Sequence, residues 1–537
     1  MKRSQTLSII ILFLLVLGVG LPTLIYPFGR DQGTLAYIGS AILRGQVPHR
    51  DTWDQKPPGV PYLYALAFLM LGKSMEAIRA FDLLYQLLTV LLLFKLAETL
   101  YRASLAFLAG LFYGISYFIE NNYFSMAHVD GFLNLPLIAA VYACYLGRRR
   151  RNKALLLLGG CLSSLAFTMK YPALFVLIGL GLYLGGEGSS DPAAGGQKRE
   201  GRLSPAAYLK ERVTNPGLLL AGFFLGLLPP ALYLLRKGAL YNLLETQWVF
   251  NSGYTRLAFQ GGLLEFFSTV LIQLNRYLYY KAFFSVLMVA ALVYGFTHRT
   301  SENRLTLVWF FSSLLGVIAQ AKFYYYHWML LLAPLSVLSA VGFDRLFQGL
   351  RLGASWLKNE FKVFALVTLF ILILPTVNSY RSMARTFVDL LRGTLRVEDY
   401  YDRFNTPQGD FSLRTILAVV DYLQQKTTRQ DAVYIWGFEP LINFLADRPI
   451  PTRYTYNVPL VAPWGKPSWR EELIEDLKRS PPRYMMVAEK DAIPWTTGRT
   501  EDSKRLLEEF PDLKTFLREN YREEKQIGPF TLYRRKI

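Results

Sequence analysis

Between residues 6 and 377 the chain turns apolar eleven times, and most of these runs are close to the ~20 residues that an α-helix needs to cross a bilayer. They cover 6–25, 77–97, 103–119, 131–147, 153–169, 171–185, 215–235, 281–297, 305–321, 327–343 and 361–377. The stretch 153–185 is nearly continuous, broken only by "TMKYP", and predicts two helices with Lys170 at the turn. A backbone in hydrocarbon must satisfy its own polar groups, so repeated runs of this length predict a polytopic α-helical membrane protein of about eleven spans.

Composition agrees with that reading. The 537 residues are 52% hydrophobic and 15% aromatic, with a mean hydropathy of +0.22. Cys144 and Cys161 both fall in apolar runs and read as small hydrophobes, outside any disulfide framework or metal site. The four histidines show no HxxxH spacing and make a dedicated zinc site an unfavourable reading. Residues 401–537 are close to neutral, 22 basic against 20 acidic, so nearly all of the net charge of +19 belongs to the apolar part. It sits in short connections such as "RRRRNK" (148–153), "QKREGR" (197–202) and "THRTSENR" (297–304), which is a topology signal and argues against nucleic acid as a partner. The pattern predicts a cytoplasmic N terminus and, with an odd span count, an extracytoplasmic C-terminal segment. The first run is long, lacks a small-residue cleavage site and reads as an anchor.

Three stretches do not read as membrane. Residues 186–213 are rich in Gly, Pro and Ser and predict an inner linker. Residues 237–280 predict a long outer loop with several aromatics. The remainder predicts a small soluble α/β domain at 379–537, after a transmembrane domain at 1–378. In it "AVYIWGF" and "RYMMVAEK" read as buried strands, while 411–427, 469–480 and 501–519 have helical periodicity. No internal repeat is present.

The segment after the first run, "GRDQGTLAYIGSAILRGQVPHRDTWDQKPPGVPYLY" (29–64), carries Asp31, Asp51, Asp54 and Lys56. Apolar residues 35, 38, 41 and 42 lie on one helical face and Gly45 follows as a stop, which predicts a short helix lying in the outer interface, with a second after Pro57 and Pro58. Asp31 suits a helix N-cap, and Lys56 suits a side chain reaching to water. The same groups suit chemistry at a lipid surface. A carboxylate there can take a proton from an attacking hydroxyl, and a lysine beside it can neutralise a departing phosphate. Neither G-x-G-x-x-G after a strand nor G-x-x-x-x-G-K-[ST] occurs to hold a nucleotide.

"DQGTLAYIGSAILRGQVPHRDTWDQKPPGVPYLYAL" resembles the first extracytoplasmic loop of GT-C glycosyltransferases, most of all the protein O-mannosyltransferase and lipid A aminoarabinose transferase group. The likeness rests on Asp31 soon after the first run, on "AILRGQVPHRD", and on "DQKPPG" before the second run. It implies many helices, two interfacial helices in the first loop and a soluble C-terminal domain outside. The likeness implies that Asp31 is a catalytic base and that Lys56 contacts the lipid-linked phosphate. The family's acidic residue directly before that lysine is replaced here by Gln55, with Asp54 one position earlier.

In the second outer loop "ENNYFSMAHVDGFLN" presents Glu120, His128 and Asp130. The resemblance makes Asp130 a second catalytic carboxylate, while its local pattern also suits an N-cap. Lys170 and, in "KFYYYHWM", Tyr326 and His327 fall where relatives touch the carrier phosphate; an interfacial anchor and an aromatic belt are the local alternatives. Asp54 and Arg79 are supporting residues, Arg79 as an internal ion pair with Asp82 at i and i+3. The implied activity is transfer of a sugar from a polyprenyl-phosphate donor to an acceptor hydroxyl on a protein, lipid or glycan, with inversion, at the plasma (inner) membrane. No cofactor is implied, and no dedicated metal site. A divalent cation is conceivable if Asp31, Asp54 and Asp130 converge. A lipid or glycolipid transporter is the alternative, because helices that break near Lys170 also suit a transport path.

Overall fold

In the computed structural model of the chain, residues 3–186, 205–259, 261–351, 359–404 and 411–536 are described. They fall into two compact units. One gathers residues 1–24, 82–230 and 261–385, the other 25–81, 231–260 and 386–537.

All eleven apolar runs are helical. Six of them, those starting near residues 6, 77, 131, 215, 327 and 361, lie in helices long and apolar enough to cross a membrane. Ala103–Phe118, Lys153–Met169, Ala173–Gly185 and Ala282–Thr297 are apolar but shorter, at 13 to 17 residues. The chain leaves the helix at Met169 and re-enters one at Ala173, so "TMKYP" is a turn as expected.

In the first unit Ala282–Thr297 packs on Leu332–Arg351, Asn134–Arg149 on Lys153–Met169, and Ser301–Ile318 on Ala173–Gly185. Apolar side chains gain little from leaving lipid for one another, so close backbone approach has to come from small residues. Lys153–Met169 meets Pro205–Arg236 in this way. Gly222 lies directly over the Leu157 carbonyl and Gly160 over that of Leu219, and the Cys161 thiol donates to the Gly222 carbonyl at 3.2 Å. Both cysteines are free.

Two expectations change here. Residues 237–280, expected as an outer loop, are helical over Leu240–Glu245, Asn251–Ala258 and Leu263–Tyr280, with a π-turn at Thr246–Phe250. Glu265, Gln273, Asn275 and Arg276 interrupt the apolar run at Leu263–Tyr280 and mask its helical period from a simple hydropathy reading. Of the expected linker 186–213, residues 187–204 lie outside the described residues, and a helix is already under way at Pro205.

The second unit holds a four-stranded sheet. Its strands are β1 (Val433–Trp436), β2 (Tyr484–Ala488), β3 (Tyr521–Ile527) and β4 (Phe530–Arg535), in the order β1-β2-β4-β3. β1 and β2 are parallel with Val433 opposite Tyr484, which requires the helical crossover between them, and β2 and β4 are antiparallel with Met486 opposite Leu532. The expected strands and the helices at 411–427 and 469–480 are present, while 501–519 holds two short helices, Ser503–Glu508 and Pro511–Asn520. The β3–β4 hairpin escapes sequence reading because β3 is "YREEKQI", charged along its length and mostly exposed.

Arg30–Leu43 differs most from its expected interfacial pose. Eleven of its fourteen residues are buried, polar Gln32, Thr34 and Ser40 among them, because Gly59–Leu71 and Pro440–Ala446 both pack on it. Gly33 makes the second contact possible, since a Cβ there would stand 2.7 Å from the Leu441 Cβ. The Arg30 guanidinium meets the Glu439 carboxylate at 2.6 Å, and the Tyr37 hydroxyl accepts from the Ile450 N–H at 2.8 Å. Gly45, at φ +86°, turns the chain away as expected.

Gly222→Ala is expected to lower stability by about 1–3 kcal/mol, because the new methyl overlaps the Leu157 carbonyl. Gly217→Ala in the same helix meets open space and serves as the control. Thermal unfolding of both variants in detergent checks this, and equal melting temperatures would contradict it.

Candidate active site

The candidate residues form two groups, one in each unit.

The first group is built on residues 44–58, which link Arg30–Leu43 to Gly59–Leu71. This loop is pinned by its own backbone and by the tail. His49 N–H donates to the Thr52 carbonyl at 2.7 Å, Trp53 N–H to the Arg453 carbonyl at 2.6 Å, and the Asn251 amide to the Gln55 carbonyl at 2.9 Å. Trp53 is fully buried, with its ring edge-on to Phe250 at 4.8 Å and to Tyr456 at 5.3 Å. That anchoring fixes the next three residues.

Lys56 Nζ lies 2.7 Å from Asp31 Oδ1 and 3.9 Å from Asp54 Oδ1. Asp31 sits in the first turn of Arg30–Leu43. It does not cap it, since Gly29 holds the cap position and the Gln32 side chain accepts the Gly29 N–H at 3.0 Å. Its side chain is 25% exposed, whereas that of Asp54 is 5% exposed and accepts from the Tyr456 hydroxyl at 2.9 Å. Burial, reinforced by the Asp31 charge, pushes the Asp54 carboxyl above its ordinary range, against the opposing pull of Lys56 and Tyr456. One lysine thus serves two carboxylates, of which Asp31 is the more reachable. Arg79 is 1% exposed and donates to the carbonyls of Tyr26 and Pro27, with its guanidinium 5.3 Å from the Phe28 ring, so it fixes the chain just before Asp31.

The second group is built on two tight turns. Asp130 sits in the one-turn helix Val129–Phe132, wholly buried. It does not cap that helix either: Lys170 Nζ donates to both of its carboxylate oxygens at 2.7 Å, and His128 Nδ1 is 3.3 Å from Oδ2. Tyr326 and His327 enter from the 3-10 segment Tyr325–Leu331. The Tyr326 ring lies 4.2 Å from the His128 ring, 4.9 Å from that of His327 and 5.3 Å from Lys170 Nζ. Asn134 ties the two turns together, donating to the carbonyls of Asp130 and Met329 at 3.3 and 3.2 Å. Asp130, Lys170, Tyr326 and His327 are therefore brought together, with His128 added.

Two further residues shape these groups, Tyr456 and Asp82, the latter expected only as the partner of Arg79. Asp82 accepts from the Tyr117 hydroxyl at 2.8 Å and from the Ala127 N–H at 3.1 Å, holding Ala127 at φ +53° and so aiming His128 and Asp130. A carboxylate inside an apolar helix is the signal that marks it in the sequence. Tyr456 has no such signal, because it lies 402 residues from the Asp54 it binds. Among the described residues no three His, Cys, Asp or Glu side chains gather as a metal ion would require.

The family described as dolichyl-phosphate-mannose-protein mannosyltransferase matches the chain over residues 55–190. No curated protein sequence matches it. Among solved structures, ArnT from Cupriavidus metallidurans bound to undecaprenyl phosphate is similar at a TM-score of 0.56 and 12% identity, over 99% of this chain and 98% of that one. The oligosaccharyltransferase of Archaeoglobus fulgidus tethered with an acceptor peptide is similar at 0.53 and 12%, over 100% and 74%. The same archaeal enzyme in complex with an inhibitory peptide and a dolichol-phosphate gives 0.51 and 12%, over 100% and 74%. The chain thus has the fold of GT-C glycosyltransferases and resembles them along its whole length.

The raised Asp54 carboxyl has a signed consequence. The folded chain holds this proton to higher pH than the unfolded chain does, so its contribution to stability falls as pH rises from about 4 through the raised value. Asp54→Asn removes that titration and keeps an acceptor for Tyr456. The melting temperature of the variant relative to the parent is expected to rise between pH 4.5 and pH 8, by a few degrees at most. A difference independent of pH would refute the assignment.

Proposed function

We propose that the chain is an integral-membrane glycosyltransferase that moves a sugar from a polyprenyl-phosphate carrier to an acceptor hydroxyl, with inversion, on the extracytoplasmic side of the plasma membrane. The observation that carries this reading is the contact between Asp31 and Lys56 at 2.7 Å, a reachable carboxylate and a cation on one anchored loop. The GT-C fold and the match to the mannosyltransferase family over residues 55–190 support it.

The acceptor oxygen attacks the anomeric carbon from the face opposite the phosphate and gives its proton to Asp31. The bond between the anomeric carbon and the phosphate oxygen breaks, and the phosphate leaves with the electron pair. Lys56 neutralises the charge that builds on it. An arriving phosphate that draws Lys56 to itself makes the Asp31 carboxylate available as a base when donor is present.

In the other unit Lys170 and His327 are donors suited to phosphate oxygens, with Tyr326 beside them. Asp130, buried and occupied by Lys170 and His128, has the environment of a residue that aims those two side chains. Residues 1–378 are proposed as the transmembrane catalytic part and 379–537 as an extracytoplasmic domain. The buried Arg30–Glu439 pair supports a common side for the tail and the first loop, and the N terminus is then cytoplasmic. The acceptor is a protein, a lipid or a glycan.

The test is sugar transfer from undecaprenyl-phosphate-linked donors by the chain reconstituted in lipid with acceptor mixtures. Asp31→Asn should lower turnover by about 10²–10⁴-fold with donor binding retained. Lys56→Met should weaken donor binding as well as turnover. Full turnover in Asp31→Asn would remove it from the mechanism. Lipid movement without transfer in any mixture would replace the enzyme reading with transport.

A further inference from the structure

A cavity of about 490 Å³ opens between Ala173–Gly185, Ala282–Thr297 and Ser301–Ile318, in the first unit, and shares no residue with either candidate group. Its wall is almost wholly apolar. Ile178, Leu182, Phe296 and Phe311 form its lips and are 39–70% exposed, so the groove opens outward between apolar helices. Its depth comes from two glycines. A Cβ on Gly179 would stand 2.7 Å from Ser312, and one on Gly295 would stand 3.2 Å from Leu307, so side chains are absent where the helices draw together.

The groove ends in positive charge. Arg299 and Arg304 both line it. Arg304 donates to the Tyr183 carbonyl at 2.8 Å, Arg212 to that of Gly185 at 2.7 Å, and Arg148 to those of Tyr183 and Gly186 while its guanidinium lies 4.7 Å from the Tyr183 ring. Three guanidinium groups therefore meet at the C-terminus of one helix. Carbonyl oxygens and the helix dipole hold them there. Arg299 is exposed at the same end. An apolar slot that terminates in arginines is complementary to an acyl chain that terminates in a phosphate.

We infer that this groove is a binding site for an anionic phospholipid, with one acyl chain against Ile178, Leu182 and Phe296 and the phosphate at Arg299 and Arg304. The site is independent of the sugar-transfer reading.

Native mass spectrometry of the full chain in phosphatidylcholine nanodiscs, titrated with dioleoyl phosphatidylglycerol, tests it. Phosphatidylglycerol should be retained about tenfold or more over phosphatidylcholine. That excess should disappear in Arg299→Glu, which removes the charge, and in Leu182→Trp, which fills the groove from a position 70% exposed and so leaves the helix packing alone. Arg276→Glu, an exposed arginine outside the groove, should keep it. Equal retention of the two lipids, or an excess unchanged in both groove variants, would overturn the proposal. So would displacement by inorganic phosphate alone, which marks a bare anion site, or preferential retention of undecaprenyl phosphate, which marks a carrier site.

Discussion

A carboxylate taken out of water must meet a cation or several donors, or give up its charge, and this requirement organises both units. Glu439 meets Arg30, Asp130 meets Lys170 and His128, Glu120 meets Lys281, and Asp82 meets the Tyr117 hydroxyl and the Ala127 amide. Nearly all of these contacts join parts of the chain that are far apart in sequence. Where the supply of cations falls short, as at Lys56 between Asp31 and Asp54, the more buried carboxyl keeps its proton to higher pH and the outer one keeps the lysine.

That shortage gives the first loop its chemical character. Asp31 is partly screened, paired with its lysine and held beside a loop whose tryptophan is fully buried. The anchoring comes from the tail, through Arg453, Thr455 and Tyr456. Residues 25–81 and 386–537 belong to one compact unit, so the tail shapes the loop that carries Asp31 and Lys56.

The sequence made the helices legible because hydropathy over about twenty residues is a strong, local signal. It also made β1 and β2 legible, as short buried apolar runs. Weak or mixed signals failed. Leu263–Tyr280 looked like a loop because polar residues interrupt it, and β3 was silent because its residues are charged and exposed. Arg30–Leu43 looked amphipathic and therefore interfacial. Its polar residues are instead buried by Pro440–Ala446, a helix some 400 positions away that no local pattern announces.

The sequence alone determined the class of fold, the turn at Lys170, the identity of the charged residues at the helix ends and the resemblance that singled out Asp31, Lys56, Asp130, Lys170, Tyr326 and His327. The fold class and the turn follow from periodicity and spacing, which depend on neighbours in the chain, and the residue set follows from the resemblance. Tertiary structure alone decided which charges meet. It put Lys56 on Asp31 and left Asp54 to Tyr456, gave both oxygens of Asp130 to Lys170, and turned Asp31 and Asp130 from helix caps into ion-pair partners. The reason is physical: the strength of an electrostatic contact depends on distance and burial, and both are set by segments that sequence order keeps far apart.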